Sequence, residues 1–402
     1  MVSERQIGLN FGCMETKQRK IYLSIAGVVA DSLKKVLVGG QPAARVLREV
    51  LFEQKKWGSR DRRLFSESFY QILRNHLLLQ HHCNNPDYFK DGKSLIDALD
   101  WLQTDNSNLT SALNFPFHIL FSINKDLDDF GRSQMGGEIW EAEMKFQHSP
   151  APLVVRVNSI RTSPKELIRL LGKEEIEATP LDDFPDALLI EGKKNLRNSR
   201  LFKEGFFEIQ DPSSQSLAHY VNPLPGERIL DACAGGGGKS LHLASLSGNK
   251  TEIVASDLSD KRLEQLKVRS MRNKTNSIKL VSKSELSRKF PPGYFDKVLI
   301  DAPCSGSGVI RREPEKKYRL NSGQILKFTG IQLELLAEMS AWLKPQGKLY
   351  YATCSIFPAE NQQVVAAFLK SSPGFELVRE KSILGHRSGH DGFYMTEIIR
   401  KS

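Results

Sequence analysis

Apolar positions recur at helical spacing through the first third of the chain. They fall at Val28, Leu33, Val36 and Leu37, then at Val46, Leu47, Val50 and Leu51. A second run puts Leu64, Phe65, Phe69, Ile72, Leu73 and Leu77 on one face. A period near 3.6 residues turns one stripe of a helix toward a core, so residues 1 to about 145 are predicted to be helical. Residues 131–152, rich in glycine and polar side chains, read as a linker. A short mixed segment follows, with strands expected at 153–157, 187–190 and 206–209 and a helix at 164–171. This predicts a small α+β unit over 150–205. Beyond it the pattern alternates. Strands are expected at 228–233, 253–257, 278–281, 297–302 and 348–352, with helices at 241–246, 261–272 and 324–343. Asn321 and Gln324 stand in a capping-box arrangement at the start of the last helix. Alternation of this kind over 206–402 predicts an α/β domain with a parallel, doubly wound sheet. Such a sheet keeps its ligands at the carboxyl ends of its strands.

Composition narrows the partners. The net charge of +10 favours a polyanion, although a basic balance alone does not establish one. The five cysteines, Cys13, Cys83, Cys233, Cys304 and Cys354, form no CxxC pair, so no metal site is expected. A sparse, odd set also argues against a disulfide framework. No apolar run reaches membrane-spanning length and the N-terminus lacks a signal-peptide core, so a cytoplasmic protein without a membrane partner is expected.

The strand predicted at 228–233 runs into Ala234, Gly235, Gly236, Gly237, Gly238 and Lys239, and then a helix. Glycines let backbone pass close to a ligand. A nucleotide phosphate loop is disfavoured, because the glycine it needs five residues before Gly238 is Cys233. Asp257 ends the next strand, where a carboxylate can accept from both ribose hydroxyls of an adenosine. It can equally cap the helix that follows. Together, loop and acid point to a nucleoside-type cofactor.

Cys304, in Asp301-Ala302-Pro303-Cys304, and Cys354, in Thr353-Cys354-Ser355, both follow strands. A lone cysteine is usually a small buried hydrophobe, and Cys233 fits that description. Two cysteines at strand ends call for chemistry. Carbon 5 of cytosine is a poor nucleophile until a thiolate adds at carbon 6, which makes it enamine-like. Asp301 is placed to hold the ring nitrogen or the exocyclic amine. An amino-group methyltransferase would favour an aromatic residue where Cys304 stands.

At these residues the chain resembles the Sun (Fmu) family of RNA cytosine-5 methyltransferases. DACAGGGGKS (231–240), DAPCSGSGVIRREPE (301–315) and YATCSIFPAEN (351–361) carry the likeness, with FKEGFFEIQDPSSQ (202–215) and GHDGFYMTEIIRK (389–401) supporting it. The resemblance implies a Rossmann-like domain that uses S-adenosylmethionine. It implies Cys354 as nucleophile and Cys304 as the residue assisting product release. The chain departs from the family at Gly235 and Gly236, usually Ala-Pro, and at Ser282, which takes the place of an adenine-contacting aspartate. RDRRLFSESFYQILR (60–74) resembles the NusB-like RNA-binding domain of bacterial members, and the 150–205 segment resembles their RNA-recognition-like insert.

RNA, ribosomal RNA foremost, is the expected partner. Arg60, Arg62 and Arg63, together with Arg311, Arg312, Lys316, Lys317 and Arg319, are candidate phosphate contacts. Their bland reading is a solvated surface. Two rival functions stand beside this one: a transfer RNA or DNA cytosine-5 methyltransferase, and a ribosome-assembly factor that binds RNA without catalysis.

Overall fold

The computed structural model describes residues 21–104, 115–192 and 195–402, which leaves Cys13 outside the described residues. The chain divides into two compact units. One comprises residues up to Pro150 together with Ile310–Ser322, the other Ala151–Val309 with Gly323–Ser402.

In the first unit, helices Leu23–Leu37, Ala43–Glu53 and Ser59–Arg74 form where the spacing predicts them. Val29, Leu33, Val46, Phe65, Phe69 and Leu95 meet in one core. Each such side chain contributes about 1.5–3 kcal/mol on burial, so the inward stripe decides these elements more than helix propensity does. The segment read as a linker is instead two helices, Lys125–Met135 and Gly137–Gln147. Gly136, with φ of 81°, makes the break between them. Trp140 then folds back so that its indole N–H donates to Asp128 at 2.6 Å. Its ring lies where a side chain on Gly131 would begin, 2.4 Å from an ideal Cβ. Of the glycines that suggested a loop, Gly131 is there to admit a buried tryptophan and Gly136 to break the helix.

Residues 310–322 belong to this helical unit, although their place after the cysteine motif predicted a continuous 206–402 domain. Glu315 accepts from the Ala43 N–H at 2.8 Å and so caps a helix start. Lys317 is buried, with its ammonium donating to the carbonyls of Arg74 and Phe121 at 2.7 Å each.

The second unit holds two sheets. Strands β1 (Val154–Val157), β2 (Ala178–Leu181), β3 (Phe184–Ile190) and β4 (Phe207–Ile209) form an antiparallel sheet in the order β2-β3-β1-β4. Helix Pro164–Gly172 packs Leu167 and Leu171 into the same core as Val155 and Leu188. Strand β2 gave no apolar signal, since it lies at the sheet edge and carries Pro180.

The larger sheet contains β5 (Arg228–Asp231), β6 (Glu252–Asp257), β7 (Ile278–Ser282), β8 (Phe295–Asp301), β9 (Leu343–Thr353), β10 (Phe375–Ile383) and β11 (Phe393–Arg400). Their order is β10-β11-β9-β8-β5-β6-β7. Strands β5 to β9 are parallel, but β11 runs antiparallel to both neighbours, so the sheet is mixed where a parallel one was expected. The chain winds outward from β5 through β6 and β7, then returns to β8 on the other side of β5. That reversal opens a crevice at the carboxyl ends of β5 and β8.

Candidate active site

Strands β5, β6, β8 and β9 each deliver a chemically distinctive residue to that crevice. After β5 the loop turns on Gly235 and Gly237, with φ of 54° and 83°. A Cβ on Gly237 would lie 2.0 Å from Leu266, so the loop can pass that helix only with glycine here. The Gly235 N–H donates to one oxygen of Asp257 at 2.9 Å, and the Ser259 N–H donates to the other at 2.8 Å. Asp257, at the end of β6, therefore organises the glycine loop as well as the turn into its own helix. Asp231 is fully buried under the loop and accepts from the Ser240 hydroxyl at 2.5 Å. Burial pushes its carboxyl group up to about 7.

Sequence reasoning missed Arg156, on β1. Its guanidinium donates to the Gly238 carbonyl at 2.6 Å and to Gln210, which pins the loop from the small sheet. Burial lowers it to about 10. A buried arginine in a four-residue strand gives no periodic signal, so nothing in the chain marked it.

Lys239 follows the glycines, and its ammonium lies 2.6 Å from Asp301 at the end of β8. Burial opposes its charge, but Asp301 and then Cys354 outweigh that, so its affinity for the proton is raised. Ser282 ends β7, half-buried, with its hydroxyl 3.2 Å from that of Ser284.

Beyond Asp301, the chain places Cys304 with its sulfur 3.3 Å from that of Cys354, which follows β9. Both are half-buried. The pairing follows from register, because β8 and β9 are parallel neighbours with Asp301 opposite Ala352. The hydrogen bond to Cys354, then burial, then the charge of Cys354 hold the Cys304 thiol well above its ordinary range. The 304–309 loop lies close against residues 391–393. Gly308 donates to the Cys354 carbonyl at 2.9 Å and accepts from Gly392 at 2.8 Å. A Cβ on Gly308 would meet the Gly392 carbonyl at 2.2 Å.

Cys233, read as filler, packs against the core, and burial raises it to about 12. One cluster that sequence reading passed over is Asp186, His219 and His242, whose potential metal-ligating atoms lie within 4.8 Å of one another. Asp186 accepts from both imidazoles, at 2.8 and 3.0 Å, which joins β3 to two helices of the same unit. Burial lowers His242 to about 3, so it is neutral in this network.

The basic candidates fare differently. Arg311 is 4% exposed, donates to the Pro150 carbonyl at 3.0 Å and lies over Phe146. Arg62 donates to the carbonyls of Leu51, Gln54 and Trp57 at 2.6–3.0 Å, closing the end of the preceding helix. Arg319 donates to the carbonyls of Val36 and Gln41. These three, with Lys317, spend their charges on backbone, which corrects their reading as phosphate contacts. Arg60 and Arg63 are exposed, and Arg312 and Lys316 half-exposed. Arg63 pairs with Glu67 and Lys316 with Glu313.

Comparison with known proteins agrees with this arrangement. Residues 218–398 match the family described as 16S rRNA methyltransferase RsmB/F, and residues 132–197 match its ferredoxin-like domain. A ribosomal RNA small subunit methyltransferase B of Proteus mirabilis is 35% identical over 66% of this chain and 63% of its own. The chain thus matches less than two thirds of that relative's length. Among solved structures, a protein titled PH0851 superposes with a TM-score of 0.80 at 23% identity, covering 94% of this chain and 100% of its own. NSun6 from Pyrococcus horikoshii, solved with SFG, superposes at 0.63 and 19% identity, covering 69% and 98%. These two likenesses speak to the fold. Residues 218–398 are thus similar to the RsmB/F (Sun) methyltransferase family, and the stretch before them is similar to that family's ferredoxin-like domain.

Proposed function

We propose that the protein methylates carbon 5 of a cytosine in RNA, small-subunit ribosomal RNA foremost, through a covalent adduct on Cys354. The observation that carries this reading is the 3.3 Å approach of Cys304 and Cys354 beside the Lys239–Asp301 pair. One sulfur would suffice for packing. Two in contact at the carboxyl ends of adjacent strands suit a reaction that must both make and break a sulfur–carbon bond.

S-adenosylmethionine, when bound, supplies an electrophilic methyl group. The glycine loop, Lys239, Asp257 and Ser282 are the residues that would hold it. Asp257 accepts two backbone N–H groups and Asp231 is buried beneath the loop, so both shape the glycine backbone that would meet this ligand. Cys304 holds its proton above the ordinary thiol range, so in the proposed mechanism it is the donor to Cys354, and Cys354 is the thiolate. That thiolate adds to carbon 6 while Asp301 holds the ring polar edge. After carbon 5 gains its methyl group, a base takes its proton. As the electrons of that C–H bond form the carbon 5–carbon 6 double bond, the sulfur–carbon 6 bond breaks, its electron pair leaving with Cys354 as thiolate. Cys304 assists this second half. The exposed Arg60 and Arg63 and the half-exposed Arg312 and Lys316 remain the proposed phosphate contacts, and the helical unit the proposed NusB-like RNA-binding domain.

Incubation with labelled S-adenosylmethionine and small-subunit ribosomal RNA tests the proposal. Label should appear as 5-methylcytosine, and Cys354→Ala should abolish it. Binding of RNA without transfer would favour an assembly factor, and transfer only to transfer RNA or DNA would reassign the substrate.

A further inference from the structure

A buried carboxylate stands behind the two sulfurs, outside the chemistry described so far. Glu360 lies in the short turn Pro358–Glu360 and is fully buried. One of its oxygens accepts from the Ser305 backbone N–H at 2.8 Å and from the Gln332 side-chain amide at 3.1 Å. The other accepts from the hydroxyls of Ser305 and Ser355, each at 2.5 Å. Ser305 follows Cys304 in the chain, and Ser355 follows Cys354. The same carboxylate therefore grips the residue next to each sulfur, one on the loop after β8 and one on the loop after β9. Glu360 is itself held, since Tyr351 donates to its carbonyl at 2.5 Å.

Burying a carboxylate costs several kcal/mol unless donors surround it, so packing alone does not account for a glutamate here. We propose that Glu360 is the positioning residue of the cysteine pair. Through Ser305 and Ser355 it sets the separation of the sulfurs, and through its charge it decides which sulfur keeps the proton. This rests on the reading of Cys304 and Cys354 as the reacting pair. The titratable groups facing them are Lys239 and Asp301 on one side and Tyr351 and Glu360 on the other. Lys239 favours a negative charge on Cys354, while Glu360 disfavours one on Cys304. Tyr351 stays protonated, because burial holds it well up. The arrangement puts the thiolate on Cys354 and the thiol on Cys304.

The test uses the full chain without RNA or cofactor. Alkylation by iodoacetamide, followed at each cysteine by mass spectrometry across a pH series, reads the charge. Closure of a Cys304–Cys354 disulfide by hydrogen peroxide reads the distance; two thiols and one peroxide give one disulfide and two waters. Glu360→Gln keeps an amide that can still join both hydroxyls. It should close at the wild-type rate, yet alkylate Cys304 at least about threefold faster at pH 8, the effect of half a pH unit. Glu360→Ala should slow closure as well. Should that variant fail to fold, Ser355→Ala removes one tether and should slow closure without the full rise in Cys304 alkylation. Wild-type alkylation and closure in the folded variants, with only a lower melting temperature, would overturn the proposal. If the wild type shows this thiol behaviour but transfers no methyl group, the proposed function fails and the positioning role stands.

Discussion

Lys239 and Asp301 form an ion pair at 2.6 Å that ties the glycine loop after β5 to the end of β8, across the reversal point of the sheet. Each residue is about one fifth exposed, at 20% and 22% of its side chain. The pair thus ties two strand ends together, and in the proposed mechanism its carboxylate is the one that meets the target base.

Asp301→Ala should remove most methyl transfer with little loss of RNA affinity, because the proposed mechanism has the carboxyl group act on the activated ring. It should also destabilise the fold by roughly 1–3 kcal/mol. That is below the about 3–5 kcal/mol of breaking a wholly buried pair, since water still reaches this one. A double-mutant cycle with Lys239→Met, read by denaturant unfolding, should show coupling. Additive losses would mean that the two residues act apart.

The two cysteines should separate under substitution. Cys304→Ala should still add to RNA and accept the methyl group, then stall as a protein–RNA complex on a denaturing gel. Cys304→Ala/Cys354→Ala should show no such complex. If Cys354→Ala traps the RNA instead, the roles are reversed and the mechanism proposed here is wrong.

Asp257→Ala should weaken S-adenosylmethionine binding by about 1.5–3 kcal/mol, the scale of hydrogen bonds to a charged group. Both of its oxygens already accept backbone N–H groups, so part of that loss comes from a loosened Gly235 turn. Calorimetry that finds unchanged affinity rejects both roles.

Asp231 predicts a pH dependence of stability. Its carboxyl group titrates at about 7 in the folded chain, above the ordinary value of 3.8. The folded state therefore holds a proton that the unfolded state gives up between those values. Its contribution is complete below pH 3.8 and is lost as pH rises through about 7. Asp231→Asn, which cannot ionise, should lack this loss. Unfolding curves of the two proteins should diverge in favour of the variant as pH rises from 4 to 7, and parallel curves would contradict the assignment.

What the sequence determined by itself was whatever depends on neighbours along the chain. Strand after strand of the large sheet could be placed because Val298, Leu299 and Ile300, or Leu349 and Tyr350, form continuous apolar runs that only a twice-covered sheet can bury. Motifs next to those strands are enough to put Asp257, Asp301, Cys304 and Cys354 at carboxyl ends. Strand β10 escaped because an edge strand facing water has nothing to bury; seven of its nine positions, Glu376 to Ser382, are exposed. The glycines at 131 and 136 misled for two reasons: Gly131 makes room for Trp140, a contact visible only in three dimensions, and Gly136 takes a positive φ at a break between two helices. Charge was the least legible feature. A guanidinium or ammonium reads as a surface group in one dimension, yet Arg62, Arg156 and Lys317 are spent on carbonyl oxygens that folding brings to them. Glu360 belongs with them. Its two hydroxyl partners come from loops fifty residues apart, and only the register of β8 against β9 brings both within reach of one carboxylate.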